Sequence, residues 1–225
     1  MPLIAPEDGY LTVFNIFETE DRSGQETVLD EMRDIIDNAD YPGWVSSTLH
    51  AGHGAPGTAN FIQWESLEAL EARYAAQGFQ RGTVPLFQRL STSVRLLKTE
   101  PVFTQRHPSL DRIEVSPARD DHTVIVVLSV EPENQKELLD LLAVPEPWLQ
   151  GVPGYRSHTY LRGIEGDLVV NYAQWDDDES YQRFHHMPEE QRPAEVRAAR
   201  ARARELVTAR FSNTYSVVHS RSARG

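Results

Sequence analysis

Asn60-Phe61-Ile62-Gln63-Trp64 returns later in the chain as Asn171-Tyr172-Ala173-Gln174-Trp175, and this pair of pentapeptides decides the fold. A second landmark precedes each: Pro42-Gly43-Trp44 before the first, Pro153-Gly154-Tyr155 before the second. Pro42 to Pro153, Thr48 to Thr159 and Asn60 to Asn171 all span 111 positions. A constant offset across three landmarks marks a duplicated unit of about a hundred residues, far beyond the ~20–50-residue period of solenoid repeats.

Working outward, repeat 1 occupies residues 9–103, a polar linker 104–121, and repeat 2 residues 122–219. In repeat 1 a β-rich run over 11–19 predicts a strand. Val28, Met32, Ile35 and Ile36 at helical spacing predict a helix over 24–38. Strands follow over 44–50 and 58–64, turned by the Gly/Pro-rich stretch between them. A Ser66-led helix carries Leu67, Leu70 and Tyr74. A short helix or turn lies near Val84–Leu90, and 92–103 reads as the closing strand. Repeat 2 replays the order: strands His122–Val130, 155–162, Leu168–Trp175 and 210–219. Its first helix starts at Asn134 and is interrupted by Pro145 and Pro147, and further helices span 177–186 and 188–206. The tail, 220–225, reads as frayed.

Each unit is therefore β-α-β-β-α-β, the ferredoxin-like order. The first strand of repeat 2 is apolar on both sides, with Val124, Val126, Leu128 and Val130 on one and Ile125 and Val127 on the other. Both faces then need cover. The simplest cover for the second face is the sheet of the other repeat. The expected fold is α+β: two tandem ferredoxin-like repeats packed as an intramolecular dimeric α+β barrel, with the helices outside.

Composition narrows the function. The formal net charge of −12 argues against nucleic acid or an anionic membrane as partner, since both select basic surfaces. With no cysteine there is no disulfide, thiol nucleophile or Cys-based metal site. The eight histidines show no ligand spacing, so no metal site is expected. No secretory signal or membrane span is legible, and a cytoplasmic protein is expected.

The recurring pentapeptides also carry candidate chemistry. Residues four apart on a strand share a face, so Asn60 looks the same way as Trp64, and Asn171 the same way as Trp175. An amide beside an indole N–H suits the oxygens of a flat aromatic ligand. The plain alternative is a packed Trp and a turn-capping Asn, and recurrence does not choose between them.

The run Val170-Asn171-Tyr172-Ala173-Gln174-Trp175, then Tyr181, then Ala194-Glu195-Val196-Arg197, resembles the antibiotic-biosynthesis monooxygenase family. Val152-Pro153-Gly154-Tyr155, with Ser157, Thr159 and Tyr160, extends the resemblance over most of repeat 2. Repeat 1 looks like a more distant member through Pro42-Gly43, Asn60, Gln63 and Trp64. The resemblance implies a pocket for a polycyclic phenol or anthrone, with catalytic roles on Asn171, Trp175, Tyr181 and Arg197. About two extra residues near 189–193 leave Arg192 or Arg200 as alternatives to Arg197. His158, Tyr160, His185, Asn60 and Trp64 are further substrate-binding candidates, and His158 or His185 could act as a base near neutral pH. Repeat 1 departs from the pattern: Leu70 stands where Tyr181 stands in repeat 2, Tyr74 lies one helical turn further on, and no Arg matches. Repeat 2 is thus the expected working pocket.

The implied reaction is oxidation of an aromatic polyketide to a quinone by O₂ as co-substrate, without metal or flavin. Alternatives carried by the same resemblance are oxidative ring cleavage of the angucycline type with reduced flavin, and haem degradation. The haem-degrading branch uses a first-strand Asn, a Trp and a helical His. Asn15 and Trp64 supply the first two in repeat 1, while Trp175 and His185 supply the last two in repeat 2. A non-catalytic polyketide-binding or cyclase-type accessory protein is the alternative of another class. The chain is expected to be its own pseudo-dimer, and pairing into a homodimer stays open.

Overall fold

A computed structural model describes residues 2–223. Repeat 1 comprises β1 (Leu11–Glu18), α1 (Arg22–Asp37), β2 (Trp44–Gly52), β3 (Gly57–Trp64), α2 (Leu67–Ala75), α3 (Val84–Leu90) and β4 (Ser93–Arg106). Repeat 2 comprises β5 (His122–Val130), α4 (Gln135–Leu142), β6 (Tyr155–Gly163), β7 (Leu168–Trp175), α5 (Asp178–His185), α6 (Ala194–Leu206) and β8 (Val207–Ser222). The strands form one closed barrel in the order β1-β3-β2-β8-β5-β7-β6-β4, every pairing antiparallel. The repeats meet at two seams, β2 on β8 and β4 on β6, which close the sheet's edges.

Strand alternation sorts the side chains into two layers. Phe14, Ile16, Phe61, Ile125, Val127, Val170 and Tyr172 fill the barrel interior. Val13, Phe17, Val124 and Trp175 point the other way, into cores beneath the helices. Asp21 caps α1 by accepting from Gly24 N–H at 2.8 Å, and Val28, Leu29, Met32 and Ile36 bury its inner face.

The repeated motifs have structural reasons. Ser46 Oγ donates to Gln63 Oε1 at 2.7 Å, and Gln63 Nε2 donates to the Leu3 carbonyl at 2.8 Å. Ser157, Gln174 and Glu114 repeat those bonds at 2.7 and 2.8 Å. The glutamine of each pentapeptide thus pins the segment entering its own repeat. Gly43 and Gly154 have φ of 75° and 77°, where glycine is favoured. A Cβ on Gly43 would stand 2.5 Å from that of Ala69, and one on Gly154 would overlap Ser180, so each Pro-Gly turn lets the following helix pack close.

Three stretches differ from expectation: the helix expected over 188–206 is a short turn at Glu189–Gln191 followed by α6 from Ala194, and two others bear on the barrel. The 104–121 linker is not passive: β4 continues to Arg106 along β6, and Ile113 and Val115 are buried in the barrel core. Leu3 bridges Glu114 there, and the Ile4 N–H donates to the Ile113 carbonyl at 3.0 Å. Two isolated apolar residues among charges left no sequence pattern to read. The expected frayed tail begins too early, because β8 runs to Ser222 and pairs Ser220, Arg221 and Ser222 with β2. Closing the barrel demands that extra length. Residues 224–225 of that tail lie outside the described residues. No helix among the described residues is long and apolar enough to cross a membrane.

Candidate active site

The outward face of repeat 2's sheet builds a cavity with α5 and α6. On β7 that face carries Asn171, Ala173 and Trp175; on β6, Tyr160 stands opposite Asn171 and His158 opposite Ala173. Val124 and Val126 of β5 form the apolar floor on the other side. The space enclosed is ≈ 400 Å³. Asp177 caps α5 by accepting from Ser180 N–H at 2.7 Å, which sets the helix to bring Tyr181, Phe184 and His185 over the cavity. The Phe184 ring lies 4.8 Å from that of Trp175, and Tyr181's lies 6.0 Å from it.

Besides two atoms of Arg192, three polar atoms on the lining are buried and have no partner in the protein: Asn171 Oδ1, Trp175 Nε1 and His158 Nε2. Buried polar atoms are nearly always hydrogen-bonded, and leaving one unmade costs roughly 1–3 kcal/mol. Two acceptors and one donor on one cavity wall point to a ligand that both donates and accepts hydrogen bonds, as hydroxyl groups do.

The tautomer of His158 follows from its neighbours. The Tyr155 hydroxyl donates its one proton to the Gln105 carbonyl at 3.0 Å, since a carbonyl can only accept. Its oxygen lies 2.9 Å from His158 Nδ1 and therefore accepts from Nδ1–H. Nε2 is left with a free lone pair on the cavity wall. Burial, with Arg200 nearby, holds the His158 pKa down to about 4, so the ring is neutral near pH 7. Burial raises the neighbouring Tyr160 to about 12, which keeps it protonated.

Cations gather at the same cavity. Arg192, Arg200, Arg204 and Arg210 line it against Glu146 and Glu189, a positive balance in a chain of net charge −12. Arg192 is buried, stacked with its guanidinium carbon 4.8 Å from the Phe184 ring centre, and its Nη2 donates to the Phe184 carbonyl at 2.9 Å. Its Nε and Nη1 are buried without a partner. The set supplies two acceptors, His158 Nε2 and Asn171 Oδ1, an indole N–H for an oxygen, and cations for a developing anion. Among the described residues, no group of three or more His, Asp or Glu could hold a metal ion.

Residues 121–207 match the family model described as antibiotic biosynthesis monooxygenase. Tetracenomycin-F1 monooxygenase of Streptomyces glaucescens is 39% identical over 75 residues, 33% of this chain and 67% of that protein. The chain belongs to the antibiotic biosynthesis monooxygenase family. A crystal structure of an anthrone oxidase-like protein is 42% identical with a TM-score of 0.92, covering 98% of this chain and 96% of that one. A solved structure from Fusobacterium nucleatum subsp. nucleatum, 11% identical with a TM-score of 0.62 over 96% and 95% of the two chains, shares the fold alone.

In this family member Asn171, Trp175, Tyr181, His158, Tyr160 and His185 come together on one cavity. Arg197 does not join them: its guanidinium donates to the carbonyls of Glu190 and Arg192 at 3.4 and 3.2 Å. It braces the turn into α6, and Arg192 takes the cavity position. The short turn of residues 189–191 and the start of α6 at Ala194 put Arg192, rather than Arg197, beside Phe184. Asn60 and Trp64 line a separate cavity in repeat 1, of ≈ 170 Å³. The haem-type set is likewise divided, Asn15 and Trp64 on that cavity and His185 on the other. Sequence reasoning missed Tyr155 as the holder of His158. On a regular strand residues three apart face opposite sides, but β6 shifts register between Tyr155 and Ser157 and turns both to one face.

Proposed function

We propose that repeat 2 oxidises a polycyclic phenolic substrate, an anthrone-type aromatic polyketide, to a quinone with O₂ and without metal or flavin. One observation carries this reading: His158 Nε2, Asn171 Oδ1 and Trp175 Nε1, buried and unpartnered, share a cavity with four arginines. The names of the tetracenomycin-F1 and anthrone oxidase-like relatives agree with it.

His158 Nε2 takes the acidic proton of the bound anthrone. Burial and Arg200 weaken it as a base, and the substrate anion formed beside it offsets this by stabilising the imidazolium. The Trp175 indole N–H and Arg192 stabilise the resulting anion, Asn171 Oδ1 accepts from a substrate hydroxyl, and burial under Phe184 and Tyr181 keeps water away. The anion passes one electron to O₂, and the radical pair joins as a peroxide. Loss of water from the peroxide leaves the carbonyl. The ring CH₂ becomes C=O, one oxygen atom enters the product and the other leaves as water.

The test is O₂ uptake by metal-free, flavin-free protein with dithranol, alongside Asn171→Ala and Trp175→Phe. Anthraquinone-type product with uptake that collapses in both variants supports the reading. Uptake no faster than the spontaneous rate overturns it. A requirement for reduced flavin with ring-opened product would instead identify a ring-cleaving oxygenase. Tight binding without turnover would identify an accessory protein.

A further inference from the structure

We propose that repeat 1 holds a second ligand, an uncharged phenol of one or two rings, which it binds without oxidising. The binding stands on its own observations; the lack of oxidation rests on the reading that His158 starts the reaction in repeat 2.

The repeat 1 cavity has its own unpartnered polar atoms. Asn15 on β1 stands directly opposite Asn60 on β3, and both face outward with Trp64. Asn15 Oδ1, Asn60 Oδ1, Trp64 Nε1 and Tyr74 OH are all buried with no partner in the protein. Asn60 and Trp64 are 7% and 3% exposed, so water reaches them poorly. Val126 occupies the position of Asn15 in repeat 2, so the paired amides belong to repeat 1 alone. Two amides, an indole and a phenol around one space fit a ligand hydroxyl that both donates and accepts. Most of the rest of the lining, including Phe17, Met32, Ile62 and Phe87, is apolar, with Ser47, Arg73, Thr83 and Gln88 the polar side chains beside it.

Size and charge set the ligand class. An apolar cavity of about 150 Å³ takes benzene, so ≈ 170 Å³ suits one ring or a compact pair. Val94 and Leu96, 38% and 47% exposed, flank an apolar entrance on β4. Neither a histidine nor a carboxylate lines the space. Arg73 is already engaged, its guanidinium 4.1 Å from the Tyr41 ring centre and 4.9 Å from that of Phe79. Where repeat 2 has the Tyr155–His158 pair, repeat 1 has Trp44 donating to Ser47 Oγ at 2.9 Å. A phenol bound here keeps its proton, and a neutral phenol gives up an electron to O₂ far less readily than its anion.

The experiment follows the indole N–H signals of the full chain, which has four tryptophans, during titration with 1-naphthol at pH 7. Trp64→Phe and Trp175→Phe assign the two signals of interest. The expected result is a saturable shift of the Trp64 signal, weakened about tenfold by Asn60→Leu, as for one lost buried hydrogen bond. In that variant the Trp175 response stays intact, which shows that the protein is folded. Naphthalene-1-sulfonate, an anion of the same ring size, should leave Trp64 unmoved. No Trp64 shift up to the solubility limit, or a shift indifferent to Asn60→Leu, overturns the site. An equal Trp64 response to the sulfonate overturns its preference for neutral ligands. Oxidation is scored separately, in His158→Gln protein. O₂ uptake at the spontaneous rate, with the Trp64 shift retained, supports a holding site. Residual uptake abolished by adding Asn60→Leu overturns it. Because the signal reports binding alone, it is read whether or not repeat 2 proves to be an oxygenase.

Discussion

His50 Nε2, from repeat 1, lies 2.9 Å from the hydroxyl of Tyr172, from repeat 2, and neither residue meets solvent. His50 Nδ1 lies 3.1 Å from the Ala59 carbonyl and 3.2 Å from that of Thr48, so it carries the proton and Nε2 accepts from Tyr172. The pair crosses the barrel interior, where the counterparts by the 111-residue offset, Leu161 and Phe61, are apolar. Duplication gave matching cores, and one polar contact now joins the two copies.

That contact predicts acid sensitivity. Burial lowers the His50 pKa from 6.5 to about 4. Between those values the unfolded chain binds a proton that the folded one refuses, so stability is lost as pH falls from 6.5 towards 4. The full loss is about 3 kcal/mol from this residue, and His158 adds in the same direction. The His50→Leu/Tyr172→Phe double variant, which restores the apolar pattern, should lose less stability between pH 7.5 and 4.5. Urea midpoints at the two pH values measure it. An unchanged pH dependence would show that this histidine is not the sensor.

Tyr155→Phe should slow turnover without emptying the cavity. It removes the oxygen that accepts from His158 Nδ1–H, leaving the proton free to move to Nε2, where it blocks the base. A fall in kcat of about tenfold or more, with a smaller change in KM, is expected. Nitrogen NMR of the imidazole should show a mixed tautomer population. Wild-type kcat with a mixed population would remove His158 from the reaction.

Arg192 and Arg197 should separate cleanly. Arg192→Lys loses the planar stack on Phe184 and the fork of donors, and should lower kcat/KM by about tenfold or more. Arg197→Lys touches only the turn before α6, and kcat/KM should stay within about twofold. Steady-state kinetics on both decides, and the reverse order would restore the reading taken from the matching string.

Most of the barrel was legible because its signals are local or periodic. The offset between Asn60 and Asn171 exposed the duplication, and the two-sided apolar pattern of 124–130 demanded a second sheet. The cavity was legible in part, since Asn171 and Trp175 share a face by strand geometry alone. What was not legible depends on contacts distant in sequence or on broken periodicity. The bulge that brings Tyr155 to His158, the Gln105 carbonyl that fixes it and the turn that substitutes Arg192 for Arg197 are of this kind. So is the cross-strand pairing of Asn15 with Asn60, which needs the register of β1 on β3.

The two Pro-Gly turns offer a test of which cavity turns substrate over. Gly154→Ala places a methyl into Ser180 at the start of α5, and Gly43→Ala places one against Ala69 in α2. Both also force alanine to a positive φ, so each should cost roughly 1–3 kcal/mol of stability. The helices they displace differ in content. α5 carries Tyr181 and Phe184 over the repeat 2 cavity, whereas α2 carries Leu70 and Tyr74 over that of repeat 1. Thermal unfolding should therefore drop in both variants, while kcat at a temperature where both are folded should drop only in Gly154→Ala. Equal losses of kcat would place chemistry in both repeats. A loss confined to Gly43→Ala would move it to repeat 1.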